Sequence, residues 1–278
     1  MDHSLENFLE AHLPNHEAAD FLEETQLLLG AIETQFQIFG FRHCLYYNQA
    51  FLVPYPLALS YNGSSPMHSR GLFITFEGLD GSGKTTQMRR LAERLRARGR
   101  TVLETVEPGG TAIGRKIRQI LLDAANQELC STAELLLYFA SRAQNVDESI
   151  LPALGRGEIV LADRFTDSTL VYQGCGRGLG AETVLALDRI ACRGLKPDLT
   201  LLVDIDVETS LSRAYARNSA EPQGETRMDE QSIEFHRKVY AAYQALAERE
   251  PERVRRVSGS AGIDEIERAI WNIVSAHV

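Results

Sequence analysis

From Phe73 onward, five short apolar runs alternate with longer stretches whose apolar positions recur at helical spacing. The runs cover residues 73–77, 101–106, 158–162, 199–203 and 253–257, and they read as strands. The stretches between and after them predict helices over 86–98, 113–122, 132–151, 181–192, 207–217 and 229–249, with a last one from Asp264 to the end. Strands that are apolar throughout, instead of alternating, suit a parallel sheet covered on both faces. The order of elements therefore predicts an α/β fold: a doubly wound, five-stranded parallel sheet with helices on both faces. No internal repeat is visible.

Before Met67 the pattern changes character. Leu5, Phe8 and Leu9 have helical spacing, as do Phe21, Leu22, Leu28, Leu29 and Ile32. From Phe41 to Tyr61 the chain turns aromatic and is broken by prolines, and it ends in the turn-like Asn62-Gly63-Ser64-Ser65-Pro66. Two readings stand for this N-terminal extension, residues 1–66. It is a helical appendage on the domain formed by 67–278, or a start-site artefact with Met67 as the natural initiator. The second is preferred. His12 and His16 sit four apart, but Pro14 lies between them and no third ligand is evident, so they are not read as a metal pair.

Charge and cysteine content narrow the partners. Net charge is −9, and eight acidic residues against Arg42 alone put −7 of it before Met67. Nothing in that balance suits a polyanion, so nucleic acid is not an expected partner. Cys44, Cys130, Cys175 and Cys192 are scattered without metal or redox spacing, which favours reduced thiols in a cytoplasmic protein. The acidic start, with Asp2, Glu6 and Glu10, fits neither a signal nor a transit peptide. Residues 51–59 are apolar but contain Pro54 and Pro56 and are too short to span a bilayer, so no membrane is expected.

The candidate chemistry starts directly after the first run. Gly78-Leu79-Asp80-Gly81-Ser82-Gly83-Lys84-Thr85 fits the phosphate-loop pattern G-x-x-x-x-G-K-[ST], placed between a strand and a helix that begins at Thr86. Glycines let successive N–H groups turn into one concavity, and the helix N-terminus adds partial positive charge for a phosphate. Lys84 is placed to reach β/γ-phosphates, and the Thr85 hydroxyl to hold Mg²⁺. The chain is thus expected to bind a nucleoside triphosphate, ATP, with Mg²⁺.

Three further stretches, Glu107-Pro-Gly-Gly-Thr111, Tyr138-Phe-Ala-Ser-Arg142 and Asp163-Arg-Phe165 followed by Tyr172-Gln173-Gly174, complete a set in fixed order. With them the chain from Gly71 to its C-terminus resembles the bacterial thymidylate kinases, a family of P-loop NTPase fold that acts on dTMP and ATP, commonly as a homodimer. The resemblance implies that Asp80 holds the deoxyribose 3′-hydroxyl. Tyr138 would stack on thymine, Arg142 would bond its carbonyl and Gln173 would read the remaining base edge. Tyr172 would crowd the 2′ position, Ser168 would add a polar contact, and Arg118 would serve on the substrate side. Arg164 would contact the acceptor phosphate, and Asp163, with Glu107, would support Mg²⁺. Five of these residues also have an architectural reading: a turn for Asp80, core for Tyr138, a structural ion pair for Asp163, solvated charge for Arg142 and Arg118. The family places a mobile arginine either in the phosphate loop or in a lid. Gly81 occupies the loop position here, so the cation is expected from the lid, residues 213–228: Arg217 or Arg227, with Arg213 in support. Val106 stands where many relatives have an arginine before Glu107.

The implied reaction is transfer of the γ-phosphoryl of ATP to dTMP. Two rivals remain at this level: the same fold acting on another nucleoside monophosphate or a deoxynucleoside, and a nucleotide-dependent switch without transferase activity.

Overall fold

The computed structural model describes residues 70–220 and 225–278. The readings made for residues 1–66, including the His12/His16 pair and Cys44, lie outside the described residues. So do residues 221–224, within the stretch 213–228.

Five parallel strands form one sheet in the order β2-β3-β1-β4-β5, with β1 Phe73–Glu77, β2 Val102–Val106, β3 Ile159–Asp163, β4 Leu199–Asp204 and β5 Val254–Ser258. The register pairs Phe76 of β1 with Asp163 of β3 and with Leu201 of β4, so the carboxyl ends of the central strands finish together. The helices are α1 Lys84–Arg96, α2 Ala112–Leu122, α3 Ser131–Asn145, α4 Ala181–Ala191, α5 Val207–Ala220, α6 Ile233–Arg249 and α7 Ile263–Val274.

Side chains of a strand alternate between faces, and the core divides accordingly. On one face Ile74, Phe76, Leu161 and Leu201 pack with Leu91 and Leu95 of α1 and Ile266 and Ile270 of α7. On the other, Phe73, Val160 and Ala162 meet Leu135 and Phe139 of α3 and Val184 of α4. A third cluster joins Tyr172 and Leu202 to Phe235, Val239 and Tyr243 of α6. Thus β1, β3 and nearly all of β4 are buried on both faces, as a covered parallel sheet requires.

The edge strands depart from the expected continuous apolar pattern. β5 exposes Arg255 and Arg256, and β2 keeps partial access along most of its length, because an edge is covered less completely. Helical boundaries differ too. The helix expected over 132–151 regularises only to Asn145, then takes a wider turn over Val146–Ile150 before a last α-turn, Leu151–Gly155. The helix expected from Asp229 starts at Ile233, where Ser232 caps it by accepting from the Phe235 N–H at 3.2 Å. Between β3 and α4 the chain is helical over Thr166–Thr169 and again, as a wide π turn, over Leu170–Gly176, where no element was assigned.

Candidate active site

The segments leaving β1, β2 and β3 line one cavity of about 1010 Å³. The crevice outside the carboxyl ends of the strands is where open α/β sheets hold ligands. One wall is the loop between β1 and α1. Gly78, Gly81 and Gly83 take positive φ there (133°, 76° and 94°), and Asp80, Gly81, Gly83, Lys84, Thr85 and Thr86 face the cavity. Gly78, Leu79 and Ser82 form the back of the loop. Gly81 has a second constraint besides its backbone: a Cβ there would sit 2.6 Å from the Ser210 carbonyl and 2.9 Å from the Arg213 Cβ. α5 packs against this spot, so the loop has no room for a side chain.

Lys84 is buried and donates to the Leu79 carbonyl at 2.8 Å, spanning the loop. Burial, then repulsion from Arg164, lowers its ammonium to about 8, against the attraction of Asp80. For Asp80, burial pushes the carboxyl up, but Arg164 and Lys84 outweigh it and hold the group well below the carboxylate range. The Thr85 hydroxyl donates to Asp163 at the end of β3.

Arg164 follows Asp163 with φ 72°, a left-handed backbone uncommon for a side chain of this size. That turn lets the Arg164 N–H reach the Phe76 carbonyl while the guanidinium crosses the cavity. It donates to Asp80 at 2.9 Å, Ser168 at 2.9 Å, and Tyr172 and Tyr243 at 3.3 Å. Beneath it lies Glu77, fully buried at the end of β1. Glu77 accepts from the Phe165 N–H (2.8 Å), the Ser168 hydroxyl (2.5 Å) and the Tyr243 hydroxyl (2.8 Å). Burial, reinforced by Asp167, pushes the Glu77 carboxyl up.

The far wall holds Tyr138 and Arg142, one helical turn apart on α3, together with Gln173. Burial, and then Glu134, pushes the Tyr138 phenol up to about 12, so it is neutral. Arg142 ion-pairs with Glu107 and donates to the Phe165 carbonyl and Thr169 hydroxyl, yet its Nη1 has no partner among the described residues. A buried donor left open is costly, and this one belongs to a residue that lines the cavity. Both Glu107 oxygens accept, one from Arg142 and the other from the Asn145 amide at 3.0 Å. Burial also pushes its carboxyl up.

The lid arginines separate by environment. Arg213 and Arg217 both line the cavity from α5. Arg217 is half exposed and reaches Asp229 at 3.0 Å. Arg227 points away: it is 2 % exposed, paired with Glu134 at 2.7 Å and bonded to the Leu121 carbonyl at 2.5 Å. Arg118 is bound to the Pro108 carbonyl at 2.9 Å and to Glu225 at 2.8 Å. Sequence reasoning passed over Glu77, Glu134, Asn145 and Tyr243. Only Glu77 left a trace, as an acid closing an otherwise apolar strand.

Comparison with known proteins settles the family. The family model described as "Thymidylate kinase" matches residues 76–270. The chain belongs to the thymidylate kinase family. It is a kinase that phosphorylates dTMP to dTDP with ATP. It is 53% identical over 201 residues to a thymidylate kinase of Pelobacter propionicus, an alignment covering 72% of this chain and 92% of that protein. With the thymidylate kinase of Geotalea uraniireducens it shares 51% over 209 residues, 75% of this chain and 98% of the relative. With that of Geobacter sulfurreducens it shares 47% over 205 residues, 73% and 96%. Among the described residues no helix is long and apolar enough to cross a membrane.

Proposed function

We propose that transfer from ATP to dTMP runs in line across this cavity, with the triphosphate on the Lys84 loop and thymine against Tyr138, Arg142 and Gln173. The observation that carries this reading is Arg164, which is tied to the loop through Asp80 and to the acceptor wall through Ser168 and Tyr172. A guanidinium in that place meets both the incoming phosphate and the one being transferred, and lowers their repulsion. The open Arg142 Nη1 supports a base carbonyl as its partner. Asp80 accepts from the 3′-hydroxyl, and Tyr172 lies against the sugar.

Asp163 and the Thr85 hydroxyl are hard oxygen donors side by side on the wall, and they fit Mg²⁺. This ion keeps waters and substrate phosphates as most of its ligands, so a cluster of three protein ligands is not required. Mg²⁺ supplies charge neutralisation on the β- and γ-phosphates. Glu107 acts through Arg142, whose guanidinium it orients. Lys84, Arg164 and a cation from the lid do the rest: they align two anions and stabilise the charge between them. Arg217, with Arg213 beside it, is the lid cation, and Gly81 is glycine because α5 occupies the space above it. Arg227 holds the fold under the lid. Closure of residues 213–228 keeps water from the reacting phosphate.

We further read the enzyme as a cytoplasmic homodimer. Scattered unpaired thiols at Cys130, Cys175 and Cys192 support the compartment. Support for the dimer comes from exposed Ile113 and Ile120 on α2, Leu136 on α3 and Ile190 on α4. The test of the activity is a panel of nucleoside monophosphates and deoxynucleosides in an ADP-release assay. Turnover with dTMP far above every other acceptor is the expected result. A better acceptor of another class would refute the assignment of the base wall.

A further inference from the structure

We infer that Glu134 sets the pyrimidine selectivity of the cavity by fixing which way the Gln173 side-chain amide faces; this rests on the base-site reading above. Glu134 lies in the first turn of α3, one turn before Tyr138, and is fully buried. It accepts from Gln173 Nε2 at 2.9 Å and from Arg177 Nε at 3.1 Å and Nη2 at 3.0 Å, and it ion-pairs with Arg227 Nη1 at 2.7 Å. Burial alone would push its carboxyl up, but the hydrogen bonds from Arg177 and Gln173, with the charge of Arg227, hold it below its ordinary value. The group is therefore a carboxylate at neutral pH, and a carboxylate can only accept.

That property removes the usual ambiguity of a glutamine amide. The atom of Gln173 next to Glu134 must be the NH₂, and the carbonyl Oε1 is the other end. Among the described residues Oε1 accepts no hydrogen bond, although the side chain is buried and lines the cavity. On this wall Arg142 Nη1, itself buried, donates no hydrogen bond among the described residues and Gln173 Oε1 accepts none; the Tyr138 hydroxyl is likewise unpaired there. A thymine or uracil edge carries the complement: a carbonyl at position 4 and an N–H at position 3. Cytosine carries the reverse, an amino group and a bare ring nitrogen, and mismatches both. With the amide turned round, the second of these mismatches becomes a match. A site built to hydrogen-bond one pattern rejects the other because its own polar groups are left unpaired. Glu134 is a positioning residue: it touches Gln173, not the substrate.

The experiment compares dTMP with 5-methyl-dCMP, which keep the same methyl group and differ only along the edge in question. In Glu134→Gln the neighbour of Gln173 can donate as well as accept, so the amide is free to turn. The kcat/KM ratio of dTMP to 5-methyl-dCMP is expected to fall about tenfold or more, by the scale of paired against unpaired polar groups. A merely structural loss would lower both substrates in proportion and leave the ratio alone. In a Gln173→Leu background, adding Glu134→Gln should change the ratio no further, since the two act as one unit. Where Glu134→Gln alone fails to fold, with Arg177 and Arg227 left without their counter-charge, the charge-balanced Glu134→Gln/Arg177→Gln protein takes its place in the same comparison. A ratio within about twofold of the parent's, or an equal fall in the Gln173→Leu background, overturns the inference. A parent enzyme that phosphorylates dTMP without preferring it to 5-methyl-dCMP overturns the base-site reading, and this inference with it.

Discussion

Arg164 combines a left-handed backbone with a guanidinium held by four side chains, and that strain is borne by its supports. Glu77 fixes Ser168 and Tyr243, and these in turn fix Arg164. Tyr243→Phe keeps the buried ring and removes only the hydroxyl. The expected outcome is a fall of a few degrees in melting temperature, from the buried partners left short of a hydrogen bond, and a fall in kcat of about tenfold with little change in KM. Steady-state kinetics well below the melting temperature, beside the melt itself, checks this, and a rise in KM with kcat intact would contradict it. Lys84 gives a prediction in pH. Below about 8 its amine is charged in the free enzyme, and above that it must take up a proton to meet the triphosphate. ATP affinity should therefore be flat from neutral pH to about 8 and weaken above it, by up to about tenfold per unit. Calorimetric titration of a non-hydrolysable ATP analogue across that range checks it, and Lys84→Ala should remove the dependence. Stability runs the opposite way. The unfolded amine keeps its ordinary 10.5, so the unfolded chain binds more protons between about 8 and 10.5, and this group's contribution to stability rises with pH over that window.

At the level of elements, the proposed reading divides the arginines of α5 and the segment after it between chemistry and architecture. Arg217→Ala should cost on the order of 10³-fold in kcat, as loss of a mobile transition-state cation does, with the melting temperature unmoved. Arg227→Met should do the reverse. It takes one of two cations from the buried Glu134 carboxylate, which Arg177 still pairs, and should cost about 2 kcal/mol, or roughly 6 °C in melting temperature, with kcat much less affected. Differential scanning calorimetry and kinetics on the two variants separate the roles, and a swap of the two phenotypes would reverse the assignment. This division was not legible in the sequence. Helical spacing relates Arg213 to Arg217, but nothing local tells that Arg227 folds under toward α3, because its partner Glu134 lies far away along the chain. The strands and the phosphate loop were legible for the opposite reason: a continuous apolar run and a glycine pattern are local signals. Glu107 shows the same limit in reverse. The resemblance placed it beside Mg²⁺, but nothing local could show that its two hydrogen-bond partners, Arg142 and Asn145, come from another element. The helical stretch carrying Ser168, Tyr172 and Gln173 includes a wide π turn that breaks the 3.6-residue period, so periodicity could not find it.

For the whole molecule, the sheet delivers two walls to one crevice. On the reading proposed above, the loop after β1 meets anionic oxygens, the segments after β2 and β3 with α3 meet a base, and Arg164 stands between them. On the outside, α2, α3 and α4 carry exposed isoleucine and leucine. Light scattering should give twice the 31.0 kDa monomer mass, and Ile190→Asp should shift the protein toward monomer. A parent protein already monomeric at micromolar concentration would refute the dimer. The central claim is direct transfer between two bound nucleotides, and following the phosphoryl group itself tests it most directly. With ATP labelled by ¹⁸O in the γ-phosphoryl, dTMP and Mg²⁺, mass spectrometry should find the label in the β-phosphoryl of dTDP and almost none in inorganic phosphate. Label appearing in inorganic phosphate, with no labelled dTDP, would contradict it.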